Sequence, residues 1–171
     1  MTWELEGLEN ESAAIAGYEQ AMEAAEALLN KQMDSLKDKR LAMSRENARL
    51  GQAYVDSLAE KPVKSKSGLY YTILAAGNEA KKATKRDSVS VNYEGRLIDG
   101  KVFDKSRQPV EFPVSAVVAG FSEGVQLVGE GGKVRLFIPG NLGYGDNPPF
   151  GSGILPGSML VFDVEIVAVI Q

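Results

Sequence analysis

Two aromatic rings and a carboxylate, brought together by a short hairpin, are the residues of this chain most suited to form a binding site. Residues 88–97 alternate apolar and polar side chains, which predicts a strand with one buried face that carries Tyr93. Asp99-Gly100 predicts the turn that follows, because glycine accepts the positive φ angle that tight turns require. The next strand would return Phe103-Asp104 beside Tyr93. This set lacks the parts of a nucleophilic or metal site, so it predicts a pocket that binds an apolar group.

The composition of the chain excludes several kinds of chemistry. Its 171 residues include no cysteine and no histidine, which excludes disulfides, thiolate nucleophiles and catalytic triads built on histidine. Histidine is the commonest general base and the commonest metal ligand, so its absence removes both. No cofactor is expected. The net charge of −4 disfavours nucleic acid as a partner, because phosphate binding requires a basic surface. No apolar run approaches the length of a membrane span.

The first third of the chain predicts one long helix. Residues 1–60 contain no proline and are rich in alanine, glutamate, lysine, leucine and methionine, which are strong helix formers. We expect the helix over residues 10–59, with Gly17 and Gly51 as candidate breaks. The second apolar stripe that a complete coiled coil requires is interrupted by polar residues. The first stripe recurs at intervals of seven: Leu8, Ile15, Met22, Leu29, Leu36, Met43 and Leu50.

Charge is segregated along this helix. Acidic residues occur at positions 4–26 without any base among them, and all the bases of the helix follow from residue 31 onward, with fewer acids. This order suits the helix dipole and would also match an antiparallel partner. Two interpretations remain open, a solvated helix face and self-association through the alanine- and methionine-rich first part.

A polar linker separates this helix from a region of different composition. Residues 61–68 are polar, contain a proline that stops helices and end in glycine. The region beyond reads as a small helix lying across a mainly antiparallel sheet, which makes it an α+β domain. Alternation in its last strand places residues 160, 162, 164, 166 and 168 on one face. Strands are predicted at residues 69–74, 88–97, 133–138 and 159–169, and the short helix at residues 121–128.

Six short motifs follow one another through residues 89–165. Each motif alone is weakly specific, whereas all six in one order are highly specific. They are Val-Ser-Val-Asn-Tyr-Glu-Gly at 89–95, Asp-Gly at 99–100 with Phe-Asp at 103–104, Val-Val-Ala-Gly-Phe-Ser-Glu-Gly at 117–124, Gly-Gly-Lys at 131–133 leading to Ile-Pro at 138–139 and Leu-Gly-Tyr-Gly at 142–145, Ile-Leu-Pro at 154–156, and Leu-Val-Phe-Asp-Val-Glu at 160–165.

This ordered set resembles the FKBP family of peptidyl-prolyl isomerases over residues 68–170. The resemblance implies an α+β fold in which an antiparallel half-barrel sheet wraps over a short helix. The N-terminal helix and the linker are similar to the subgroup typified by macrophage infectivity potentiator (MIP) proteins. That similarity implies a helical dimerisation or stalk region at residues 1–60, a linker at 61–68 and an isomerase domain at 69–171.

The family's motifs also assign a proline pocket to this chain. Asp104 would orient the pocket by pairing with Arg107 or Tyr93, or it would act on the carbonyl carbon of the substrate. The Val118 N–H and the Tyr144 hydroxyl would donate hydrogen bonds to substrate carbonyls. Taken singly, each pocket side chain fits core packing or turn formation better, and only the ordered motifs favour a pocket. The resemblance implies catalytic roles for Tyr93, Phe103, Asp104, Tyr144 and Phe162, and substrate binding by Val110, Val117, Val118, Phe121 and Ile154.

The implied activity is acceleration of Xaa-Pro isomerisation in folding proteins, by desolvation and by binding the twisted amide. The expected partners are proline-containing polypeptides, macrolide inhibitors of the rapamycin kind and a second copy of the chain, bound through residues 1–60. Two alternatives are a dimeric holdase chaperone that uses the domain to bind clients and a binding module that has lost catalysis. Helix-bearing relatives imply the bacterial periplasm or cell envelope, whereas a chain complete as written, without an export signal, would be cytoplasmic.

Overall fold

The structure is a computed structural model that describes the backbone of residues 2–171 and the side chains of residues 10–171. Leu8 of the sevenfold stripe, and the glutamates before residue 10, have side chains outside this range. The chain divides into two compact units, Met1–Arg40 and Leu41–Gln171.

The long helix is continuous. It runs over Thr2–Ser57 (α1) and so begins earlier than the predicted start at residue 10, because helix-forming residues continue upstream. Neither candidate break interrupts it. Apart from the neighbouring backbone of its own helix, Gly17 has no atom within 4 Å of the position a Cβ would take, whereas a Cβ on Gly51 would lie 2.8 Å from Met159 Cβ. Gly51 therefore permits a close contact rather than ending the helix.

The apolar side chains of residues 10–40 are exposed to solvent. Of the sevenfold stripe, Ile15, Met22, Leu29 and Leu36 all lie on the surface of the helix between residues 10 and 40. Leu29 and Leu36 each expose 58% of their surface. A helix that exposes one continuous apolar stripe has not buried the face on which its stability in a protein usually depends.

Nine strands form the body of the second unit. Seven of them make one antiparallel sheet in the order β1-β2-β8-β9-β4-β5, in which β6 also pairs with β4, and β3 pairs with β7 separately. With the short helix α2 this is the predicted α+β fold. The elements are β1 Val63–Lys64, β2 Tyr70–Ala75, β3 Asn78–Lys82, β4 Ser88–Leu97, β5 Val102–Lys105, β6 Val110–Pro113, α2 Ala119–Val125, β7 Gly129–Glu130, β8 Lys133–Ile138 and β9 Leu160–Ile170, with single 3-10 turns at Val114–Ala116 and Gly140–Leu142.

The main core lies between the inner face of this sheet and α2. Val89 and Val91 of β4 are fully buried, as the alternation within residues 88–97 predicts. Phe121 and Val125 of α2 pack against the same cluster. The predicted strands at residues 88–97 and 133–138 have the observed bounds, whereas α2 begins and ends earlier than the predicted 121–128. Val128 is nevertheless buried, in the turn after α2.

The inner face of β9 departs from simple alternation near its end. The ladder between β4 and β9 shifts register between Ser90 and Val91, which leaves Val167 as an extra residue. Val169 rather than Ala168 therefore packs against the core. The prediction that residue 168 lies on the inner face is wrong, because alternation holds only where the ladder is regular.

The outer face of the sheet is also covered, by the last turns of α1. Val55 is buried in a second cluster with Phe137, Met159 and Val161. The Tyr54 ring lies 6.3 Å from the Phe137 ring, centroid to centroid. The contacts of residues 41–57 therefore group them with the sheet. The sequence pattern instead groups them with the rest of residues 1–60.

Candidate functional site

A cavity of about 290 Å³ opens between α2 and the concave side of the sheet. Its wall is mostly aromatic and aliphatic, with one carboxylate and two tyrosine hydroxyls at its edge. A small cyclic side chain that bound there would be largely removed from contact with water, because the cavity wall is apolar. The lining residues are Tyr93, Asp104, Phe112, Ala116, Val117, Val118, Phe121, Tyr144 and Phe162.

The aromatic rings of the cavity hold one another edge to face. Phe121 and Phe162 have ring centroids 5.2 Å apart at an interplanar angle of 82°, and Tyr93 meets Phe121 at 6.1 Å and 84°. Phe112 lies 5.9 Å from Tyr93 and completes the cluster. Edge-to-face pairs of this kind each add about 0.5–1.5 kcal/mol beyond area burial. The cavity is therefore a preorganised ring of aromatic side chains.

A glycine makes room for the rings of Phe103 and Phe162. Gly95 on β4 pairs with Phe162 on β9 and with Asp104 on β5. A Cβ at this position would lie 2.7 Å from Phe103 Cζ and 2.7 Å from Phe162 Cε1. Phe103 itself packs edge to face behind Phe162, with centroids 5.5 Å apart. Gly95, the glycine of the first motif, thus permits the packing of Phe103 and Phe162, which we call the cavity floor.

Tyr93 and Asp104 form a hydrogen-bonded pair across β4 and β5. The Tyr93 hydroxyl donates to Asp104 Oδ2 at 2.8 Å, so the pairing with Tyr93 that the sequence suggested is present. The pKa of Tyr93 is raised to about 12. Partial burial is the largest cause, and the hydrogen bond to Asp104 is the second largest. The phenol therefore keeps its proton throughout the neutral range. Arg107 lies in a neighbouring groove.

Two hydrogen-bond donors at the cavity have no partner within the part of the chain that the structure describes. The Val118 N–H precedes the first turn of α2, where helix N–H groups lack carbonyl partners. The Tyr144 hydroxyl belongs to another lining residue, on a loop between two glycines, whose side chain is exposed. These donors suit the carbonyl oxygens of a bound polypeptide.

The structure brings together seven of the ten site residues that the resemblance assigns. Phe103 stands behind the wall, Ile154 is buried in the core with 7% of its surface exposed, and Val110 lies outside the cavity. The resemblance places Val110 where an aromatic side chain is common, and here Phe112, two residues further along β6, contributes a ring to the cavity. Phe112 and Ala116 were missed. The sequence signal for Phe112 was its place on the same strand face as Val110.

The described residues contain neither a metal-binding cluster nor a membrane-spanning helix. Their acidic side chains form no group of three or more that could hold a metal ion. None of their helices has the length and apolar character needed to cross a membrane.

Comparisons with known proteins add to this geometry. Residues 79–167 match the family described as FKBP-type peptidyl-prolyl cis-trans isomerase. A probable FKBP-type peptidyl-prolyl cis-trans isomerase FkpA of Neisseria meningitidis is 44% identical over 156 residues, which cover 88% of this chain and 57% of that protein. Outer membrane protein MIP of Legionella longbeachae is 40% identical over 129 residues, covering 72% of this chain and 54% of that protein.

A solved structure is similar over most of the chain. The crystal structure of FkpA from Escherichia coli matches with a TM-score of 0.75 and 36% sequence identity, over 90% of this chain and 71% of that one. The match extends beyond the sheet domain into α1. The chain spans little more than half the length of the curated relatives it matches.

Proposed function

Because the chain belongs to the FKBP-type peptidyl-prolyl cis-trans isomerases, we propose that its aromatic cavity accelerates the isomerisation of Xaa-Pro bonds in polypeptide clients. The observation that carries this proposal is the cavity itself. Its preorganised aromatic wall is bordered by an unpartnered backbone N–H, a tyrosine hydroxyl and a carboxylate. Such a site suits a reaction in which no covalent bond breaks.

The reaction requires only a rotation. Amide resonance imposes a barrier of about 18–20 kcal/mol on rotation about a peptide bond, and Xaa-Pro bonds interconvert over tens to hundreds of seconds without a catalyst. A catalyst must bind the twisted amide more tightly than either planar form. The twisted amide carries less charge at oxygen, so removal of water costs it less than it costs the planar amide. A thousandfold acceleration requires about 4 kcal/mol of such preference.

Each part of the cavity has a role in this proposal. The rings of Phe121, Phe162 and Tyr93 enclose the proline and exclude water from the amide. The Val118 N–H and the Tyr144 hydroxyl hold the client's carbonyl groups, so that the chain on one side of the bond stays fixed while the other side rotates. Macrolides of the rapamycin kind would compete for the same cavity, since they too present a saturated ring and carbonyl acceptors.

Asp104 provides the test of this proposal. We expect Asp104→Ala to lower kcat/KM for a peptide with one Xaa-Pro bond by about tenfold or more, because a hydrogen bond to a charged group is worth about 1.5–3 kcal/mol. The measurement is a protease-free isomerisation assay on the full chain, with thermal unfolding as the control for folding.

Asp104→Asn separates the two roles proposed for the carboxylate. Asparagine keeps an oxygen that accepts from Tyr93, so near-normal activity of this variant would indicate that Asp104 orients the pocket. A loss equal to that of Asp104→Ala would indicate that the negative charge acts on the amide. An unchanged rate in Asp104→Ala would disprove both proposed roles of Asp104. A wild type without activity would disprove the proposed isomerase function.

We also propose that the chain forms a homodimer through the apolar stripe of α1. This proposal rests on the exposed side chains of the first unit, since a soluble protein rarely leaves such a stripe uncovered. We expect the wild type to have twice the chain mass of 18.4 kDa, and Leu29→Glu with Leu36→Glu to be monomeric. Light scattering of the full chain measures this, and equal masses for the two proteins would contradict it.

A matched control has the same added charge on another side of the helix. Asn30→Glu with Ser35→Glu adds two carboxylates at exposed positions that lie off the sevenfold stripe. This variant should remain dimeric, which excludes a general effect of charge.

The same variants test a second function, a holdase chaperone whose helical arms receive unfolded clients. The exposed stripe also favours this function, because apolar surface binds aggregation-prone chains. Loss of aggregation suppression in Leu29→Glu with Leu36→Glu, with peptide isomerisation unchanged, would support it. Equal loss of both activities, or of neither, would count against it. Substitutions serve better than a deletion of residues 1–60, which would also remove Val55 from its buried cluster.

We further propose the bacterial cell envelope as the location of the protein. The support is the name of the Legionella relative, an outer membrane protein.

A further inference from the structure

The loop that carries Tyr144 is positioned by backbone hydrogen bonds. Tyr144 stands between Gly143 and Gly145, in a segment that belongs to no strand. The Gly145 N–H donates to the Gly140 carbonyl at 2.8 Å, and the Gly145 carbonyl accepts from the Gly157 N–H at 2.8 Å. With glycine on both sides, the location of Tyr144 depends on where this backbone is held.

Two side chains of α1 reach this loop from outside it. The Ser44 hydroxyl donates to Asp146 Oδ1, two residues after Tyr144. The Asn47 side-chain amide donates to the Pro156 carbonyl at 2.8 Å. Ser44 and Asn47 are three residues apart and lie on one face of the helix. They therefore hold the segment between β8 and β9 at two separate points, Asp146 and Pro156.

The junction between α1 and this loop is tightly packed. Gly157 has a φ of +71°, and a Cβ there would lie 2.6 Å from Ser44 Oγ and would also clash with the Ser44 backbone. A Cβ on Gly140 would lie 2.8 Å from Gly157 Cα. Three backbone segments thus meet without side chains between them, and a displacement of α1 at Ser44 displaces the loop.

We propose that Ser44 and Asn47 are positioning residues for the isomerase site, which act through the loop that holds Tyr144. This inference rests on the proposed function, in which the Tyr144 hydroxyl binds a client carbonyl. Neither residue lies on the cavity wall. The isomerase module then includes part of α1, a segment that sequence patterns assign to a stalk.

The experiment compares kcat/KM of full-length variants in the peptide isomerisation assay. We expect Ser44→Ala and Asp146→Ala each to lower kcat/KM by about threefold to tenfold, because a small misplacement of a binding group is costly in the transition state. Asp146→Asn retains an acceptor for the Ser44 hydroxyl and should restore most of the loss. Asn47→Ala should have an effect similar to that of Ser44→Ala.

Gln52→Ala is the matched control. Gln52 also lies on α1 and also ties the helix to the sheet domain, by accepting from the Tyr70 hydroxyl at 2.9 Å. It makes no hydrogen bond to the loop. Its variant should lose stability as Ser44→Ala does, with normal kcat/KM.

A double variant distinguishes positioning of Tyr144 from a general structural effect. In a Tyr144→Phe background, Ser44→Ala should cause no further loss of kcat/KM, since the group that it positions is already gone. An additive loss in that background, failure of Asp146→Asn to restore activity, or equal activities of Ser44→Ala and Gln52→Ala would overturn the inference. A wild type without isomerase activity would instead refute the proposed function on which the inference rests.

Discussion

Gly95→Ala is expected to lower the free energy of unfolding by about 1–3 kcal/mol and the isomerase activity by about a hundredfold. The added methyl group would lie 2.7 Å from atoms of both Phe103 and Phe162, well inside normal contact distance. Since these rings pack edge to face, neither ring shifts without moving the cavity floor. Urea denaturation measures the first effect, and the peptide isomerisation assay measures the second.

Two controls accompany this prediction. Gly17→Ala adds a methyl group where only the neighbouring backbone of the same helix is close, and it should stabilise the helix by up to about 1 kcal/mol. Phe103→Leu in the Gly95→Ala background makes room beside residue 95 and should recover part of the stability. If Gly95→Ala left both stability and activity unchanged, the proposed packing of the cavity floor would be wrong.

Val118→Pro is expected to lower kcat/KM by about tenfold to a hundredfold, because preorganised backbone donors are among the most effective groups in transition-state binding. Proline removes the N–H and replaces the isopropyl side chain, and the backbone already suits it. Val118 has a φ of −57°, and Val117 before it has the extended conformation, with φ −105° and ψ 168°, that a residue preceding proline adopts. Stability should change little, as no intramolecular hydrogen bond is lost.

Val118→Ala is the matched control for this change. It removes the side chain but keeps the N–H, so a loss caused by reduced packing alone would appear in both variants. Equal activities of Val118→Pro and Val118→Ala would show that the backbone donor plays no part. The comparison therefore tests hydrogen bonding to the client separately from the shape of the cavity.

Local patterns predicted much of the sheet. The strands predicted at residues 88–97, from alternation, and at residues 133–138 have the bounds of β4 and β8. The Asp99-Gly100 turn is present, with Gly100 at φ +88° and the Asp99 carboxylate accepting from the Lys101 N–H. The family was predicted correctly because its motifs are short, local and ordered, so their recognition needed no knowledge of the contacts between them.

Features that depend on contacts between distant segments were not predicted. Phe112, rather than Val110, reaches the cavity because of how β6 is paired with β4, and pairing register is not written in either strand alone. The docking of Val55 against the sheet was missed for a similar reason, since a helix pattern gives the face that is apolar and not the partner that covers it. The division at residues 60 and 68 remains a prediction.

The strand β9 has a consequence for how variants of this protein can be improved. Val161 faces the end of α1 and its neighbour Phe162 faces the cavity, so adjacent residues of one strand serve two different neighbours. A substitution that shifts the strand to suit the helix also shifts the aromatic ring. Selection for thermal resistance at the helix contact would thus alter the choice of client, and the two traits would evolve together.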